Sequence, residues 1–175
     1  MQVLPRHIKT LDNFSSATGW AAFNTDCTTV AASTVRMTGT GSMSFAKANG
    51  TADTVFGLIN KTVSAGIELG EDFFMEDRIG GVFYISSLTN VSYALIRLGS
   101  TSSNYVEWRF ADTGLIAGWN VVSCKIGDAY LGGTGWVPSL ITYIAVGLAF
   151  DAETNALAGI LCDSVFVDKN QRTVA

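Results

Sequence analysis

The chain has 175 residues, 48% of them hydrophobic and only 15% charged, with a net charge of −4. That length can bury a substantial core in one domain spanning residues 1–175, yet the charged fraction falls well below the roughly 25% of an ordinary soluble domain. The pI is about 4.8 and the sequence holds no cluster of Lys and Arg. Nucleic acid is therefore excluded as a partner, because neutralising phosphates takes several closely placed cations.

Mean hydropathy is +0.31. Exposed apolar surface usually has a partner, so the composition predicts surface covered by other chains; the expected assembly is a homo-oligomer, with a trimer favoured. Cys27, Cys124 and Cys162 are widely spaced and His7 is the only histidine, a pattern without zinc-ligand spacing. The first ten residues, "MQVLPRHIKT", show no apolar signal-peptide core. With an odd number of cysteines this predicts folding in a reducing cytosol. The longest apolar run, "SLITYIAVGLAF", falls short of the roughly 20 residues of a membrane span, so no membrane partner is expected.

Taken in chain order, short stretches of strand-type residues alternate with Gly, Asn, Asp and Ser punctuation. The pattern predicts strands over 7–12, 29–32, 34–39, 42–48, 55–63 and 73–77, then over 79–87, 92–99, 104–111, 119–126, 141–150 and 156–167. No sustained helical periodicity interrupts them. Many short antiparallel strands make an all-β protein, a sandwich or a barrel. Pro5 and Pro138 both fall outside the predicted strands, as ladder hydrogen bonding requires. The Gly-rich stretch 127–139, "GDAYLGGTGWVPS", reads as a long loop.

The hairpin "YALIRLGSTSSNYVEWRF", residues 93–110, predicts its own register. Core residues must face core residues across a strand pair. Leu98 then opposes Val106, Ile96 opposes Trp108 and Ala94 opposes Phe110, while Arg97 meets Glu107 and Leu95 meets Arg109 on the other face. Trp20, Trp108 and Trp119 are expected in the core, and Trp136 near the surface. The Arg97–Glu107 pair reads as a solvent-side ion pair.

Several stretches resemble the jelly-roll β-sandwiches of carbohydrate-binding modules and concanavalin-like domains. "LDNFSSATGW" (11–20) looks like their opening D-x-F … G-W, "TGTGSMSF" (38–45) like their G-x-x-S-L-x-F strand, and "AGWNVVSCKI" (117–126) like their G-W-N entry. "ITYIAVGLAF … ILCDSVFV" looks like the closing strand pair. The resemblance implies a two-sheet antiparallel jelly-roll sandwich with a non-catalytic role. Domains of this shape also occur in bacteriophage virion structural proteins. It further implies a position for structural calcium near Asp12 and Asp163, although the usual acidic companions are not evident and no metal or cofactor is assigned.

Catalysis finds little support in the residues. A nucleophile needs a neighbouring base, and the one histidine lies near the N-terminus. Of the acids that could pair for glycoside hydrolysis, Glu68, Glu71, Asp72, Glu76 and Asp77 form one acidic stretch, "ELGEDFFMED", which reads as a solvated loop. The residues expected to contact a ligand or partner are Tyr93, Arg97, Tyr105, Glu107, Arg109 and Trp136. The first reading is a structural virion component made in the host cytoplasm, a capsid decoration or tail-associated protein contacting other virion proteins, with a glycan-binding face as a further expectation. The alternative is a carbohydrate-binding module recognising a polysaccharide.

Overall fold

The computed structural model describes residues 2–3, 7–50, 54–69, 75–132, 140–169 and 173–174. In chain order the strands are β1 (Gln2–Val3), β2 (His7–Asp12), β3 (Trp20–Ala22), β4 (Cys27–Ser33), β5 (Ser42–Lys47), β6 (Phe56–Ile67) and β7 (Arg78–Ile85). They continue as β8 (Val91–Thr101), β9 (Asn104–Ala111), β10 (Gly118–Lys125), β11 (Tyr130–Gly132), β12 (Ile141–Phe150), β13 (Leu157–Lys169) and β14 (Thr173–Val174). Helix among the described residues is limited to the 3₁₀ turns Asp112–Gly114 and Ile126–Asp128, and no helix is long and apolar enough to cross a membrane.

Two antiparallel sheets form a jelly-roll sandwich. One runs β10–β7–β13–β5–β4, with β2 pairing the end of β13 beyond β5. The other runs β11–β9–β8–β12–β6–β3. β1 and β14 pair separately. Residues from both sheets meet in one core that includes Phe45, Ile79, Phe83, Ile96, Trp108, Val146 and Cys162. Trp108 is 1% exposed, and its Nε1 donates to the Ile126 carbonyl at 3.0 Å, so the indole's polar atom is satisfied inside an apolar layer. Phe14 stacks on Trp20 with ring centroids 4.6 Å apart and closes one end of the core.

The hairpin register is the predicted one: Leu98 pairs Val106, Ile96 pairs Trp108, Ala94 pairs Phe110, Arg97 pairs Glu107 and Leu95 pairs Arg109. Four expectations about the strands and the core change. Residues 34–39 form a loop instead of a strand, because the buried Asp163 carboxylate accepts hydrogen bonds from the Met37 and Thr38 amides, at 2.6 and 2.5 Å, in place of a neighbouring strand. Of 73–77, the described residues 75–77 form a turn whose Met75 and Asp77 carbonyls accept from Gly127 and Ile126. Trp119 lies outside the core, half-buried and edge-on to Tyr84 at 5.4 Å. The neighbouring Asn120 takes the inward position opposite Phe83, where it bonds Ile116 and Gly118, so strand alternation turns Trp119 outward. Finally, Tyr130–Gly132, read as part of a loop, is the strand that pairs β9.

Candidate functional site

Since Ile96, Leu98 and Trp108 face the core, Leu95, Arg97, Glu107 and Arg109 occupy the opposite face of the second sheet. Register carries that face across the other strands. β12 contributes Tyr143, Ala145, Gly147 and Ala149 as a floor, with Asn60, Leu58 and Phe56 of β6 beside it. The floor is small by necessity at Gly147: a Cβ there would stand 2.1 Å from the Gly57 carbonyl oxygen. β11 places Tyr130 beside Glu107, and Phe23 arrives from the end of β3, its amide bonded to the Leu58 carbonyl.

This face is not the wet surface that the alternation suggested. Arg97 is 3% exposed and Glu107 1%, so their ion pair is a buried one. The physical reason is cover from strands distant in sequence. The Arg97 guanidinium lies 4.7 Å from the Phe56 ring centre, 5.4 Å from Phe23 and 4.5 Å from Tyr105. Leu58, Leu95 and Ala149 form a small apolar cluster packed by Phe23, Phe56 and Tyr93. Cationic guanidinium against ring faces is favourable, more so where water is excluded.

One carboxylate organises two cations. Glu107 Oε2 accepts from Arg97 Nε at 2.7 Å, and Oε1 accepts from Arg109 Nε at 2.5 Å. Arg109 reaches toward solvent, its side chain 38% exposed, between the rings of Tyr130 at 3.8 Å and Tyr93 at 4.8 Å. Burial pulls the Arg109 guanidinium toward deprotonation, but its hydrogen bond to Glu107 and that residue's charge outweigh it and hold the group charged. Burial, then the Glu107 charge, pushes the Tyr93 phenol up. Tyr143 is pushed up to about 12, chiefly by burial, and its buried hydroxyl has no hydrogen-bond partner among the described residues.

Of the six residues read from the sequence, the structure thus gathers five on one face: Tyr93, Arg97, Tyr105, Glu107 and Arg109. Trp136 lies outside the described residues. The sequence reading missed Phe23, Phe56, Tyr130 and Tyr143. Tyr130 was hidden in a stretch read as loop. Phe56 and Leu58 were hidden because β6 is apolar on both faces there, which erases the alternation that would have separated the faces.

The two aspartates that the resemblance associates with calcium are engaged by protein donors. Asp12 accepts from Lys61 Nζ at 2.9 Å and from the Phe14 amide at 2.7 Å. Asp163 accepts from Met37, Thr38 and the Thr38 hydroxyl. No group of three metal-ligating side chains occurs among the described residues. Both Glu107 oxygens are held by guanidinium groups, a poor arrangement for an acid that must carry a proton to substrate.

No family model matches the sequence, and no curated protein matches it. Among solved structures, the chain is similar to the family 11 carbohydrate-binding module of the cellulosomal cellulase Lic26A-Cel5E of Clostridium thermocellum, with a TM-score of 0.57 at 10% identity, covering 92% of this chain and 94% of that one. A family 11 module from Clostridium thermocellum in complex with a beta-1,3-1,4-mixed-linked tetrasaccharide aligns with a TM-score of 0.55 at 10% identity, covering 91% and 94%. The family 30 module of a cellulosomal cellulase of the same organism aligns with a TM-score of 0.52 at 10% identity, covering 85% and 88%. At these identities the likeness establishes the fold: the jelly-roll sandwich of carbohydrate-binding modules.

Proposed function

We propose that this chain is a non-catalytic glycan-binding module, and that it takes a polysaccharide on the outer face of the β11–β9–β8–β12–β6–β3 sheet. The observation that carries this reading is the gathering of Tyr93, Tyr105 and Tyr130 around two guanidiniums fixed by one buried carboxylate. Sugar rings have apolar faces that stack on aromatic side chains, while their hydroxyls need a few well-held polar groups. Arg97 and Glu107 are too deep to be the main contacts; they position Tyr105 and Arg109. The Tyr143 hydroxyl, without a partner among the described residues, adds a polar group beneath the same face. The likeness to modules that include one bound to a tetrasaccharide supports the reading.

The test is binding of the intact chain to a panel of soluble polysaccharides by affinity electrophoresis and calorimetry. Tyr105→Ala and Tyr130→Ala should each abolish or strongly weaken binding while leaving the circular dichroism unchanged. Absence of binding to every neutral and acidic glycan would overturn the proposal.

The second reading is the structural virion component, a decoration or tail-associated protein assembled in a host cytoplasm. It is favoured by the outer face of the other sheet, where Val121 is 61% exposed beside half-buried Trp119 and Tyr84. That apolar face suits a subunit contact. Analytical ultracentrifugation showing a concentration-dependent trimer that Val121→Glu dissolves would support it, and a strict monomer would remove it.

A further inference from the structure

Resting on the glycan-binding reading, we infer that the site selects an acidic polysaccharide, and that Arg109 receives a sugar carboxylate at its open edge. The first argument is charge. Two guanidiniums share one carboxylate on this face, which leaves one positive charge in excess among its described residues, within a chain of net charge −4. A guanidinium can donate to neutral sugar hydroxyls as well, but an uncompensated cation at the solvent side gains most from an anionic ligand.

The second argument is geometry. Tyr130 at 3.8 Å and Tyr93 at 4.8 Å cover the guanidinium, and Glu107 occupies Nε. The terminal nitrogens have no acceptor among the described residues, although the side chain is 38% exposed. A guanidinium covered by rings and held at one nitrogen presents its remaining N–H groups in its own plane. That is the geometry a planar carboxylate matches in a bidentate pair. The flanking rings also thin the water around the cation, which strengthens its interaction with an arriving anion.

The third argument is rigidity. Glu107 is clamped from its other oxygen by Arg97, itself packed against Phe23, Phe56 and Tyr105. Arg109 is thereby held in place before ligand arrives, and less side-chain entropy is lost on binding. A uronate residue fits this arrangement, with its carboxylate on Arg109 and its sugar ring against the neighbouring tyrosines.

The experiment compares the intact chain's binding to polygalacturonate, to fully methyl-esterified polygalacturonate and to neutral mixed-linked β-glucan. Polygalacturonate should bind best, weaken as salt is raised, and lose about tenfold or more on methyl esterification, which removes charge and keeps the chain of sugars. Arg109→Gln should lose the same preference, and Arg109→Lys should restore it only in part, because an ammonium cannot make the bidentate pair. Equal, salt-insensitive binding to ester and acid, or to neutral glucan in preference to both, would overturn the charge inference and leave the glycan-binding reading standing. No binding to any of the three would overturn the charge inference, and no binding across the wider panel of neutral and acidic glycans would overturn the glycan-binding reading with it. The ester comparison uses the unmodified protein, so the outcome does not depend on a variant folding.

Discussion

The two faces of the β8–β9 hairpin are both buried, by different physics. On one side Ile96, Leu98, Val106 and Trp108 enter the common core, where burial removes apolar area from water and close packing leaves no room to adjust. On the other side Arg97 and Glu107 are as inaccessible as Trp108, yet they carry full charges that burial disfavours. They stay buried because the charges meet at 2.7 Å and aromatic rings replace the lost water around Arg97. Low exposure alone does not distinguish a stabilising face from one proposed to bind a ligand. What separates them is the exposed end of the second face, where Arg109 and Tyr130 remain open to solvent.

The largest effect expected is on the core face. Trp108→Ala should destabilise by about 3–5 kcal/mol, the lost burial plus the cavity left behind. It also leaves the Ile126 carbonyl without its indole donor. A urea midpoint within error of the parent would show that the indole carries little of the core.

Next comes the charged face, where the comparison can be broken outright. Glu107→Ala strands a buried Arg97 and should cost on the order of 3 kcal/mol, several times the median of an exposed ion pair. The double change Arg97→Met with Glu107→Leu should recover to within about 1 kcal/mol of the parent, because an apolar pair needs no desolvation. It should nevertheless lose glycan binding, since Arg109 loses its anchor. Equal destabilisation of the single and double variants would mean that packing, not charge, holds this face.

The smallest effect is at Tyr143. Its hydroxyl has no partner among the described residues, so Tyr143→Phe should be neutral or stabilising by up to about 1 kcal/mol. Its pH dependence is sharper. An unfolded tyrosine loses its proton near pH 10, whereas the folded one keeps it to about 12. Between those values the unfolded chain binds fewer protons, so stability falls as pH rises. Cys27, pushed up to about 12, and Cys124, to about 11, both chiefly by burial, add slopes of the same sign beginning near pH 9. Denaturation curves from pH 9.5 to 11.5 should therefore decline less steeply for Tyr143→Phe than for the parent, and parallel curves would show that the phenol ionises freely.

Within the site, legibility followed sequence distance. Tyr93, Arg97, Tyr105, Glu107 and Arg109 were readable together because a short loop joins their strands and alternation sorts their faces. Phe23 and Phe56 reach Arg97 through the pairing of β6 with β12 and of β3 with β6. No local pattern announces those contacts. The same holds for Asp163, whose carboxylate turns residues 34–39 from a strand into a loop across 125 or more positions.

By itself the sequence determined the all-β class, the positions of most strands and the hairpin register. Those depend on residue-by-residue alternation and on turn residues, which act over a few positions. Its motifs also pointed to the jelly roll that the sheet order bears out. Only the tertiary structure decided that the hairpin's charged face is buried, that Trp119 points away from the core and that Tyr130 joins the site. Alternation says which side of a strand a residue lies on; what covers that side is set by strands brought in from far along the chain.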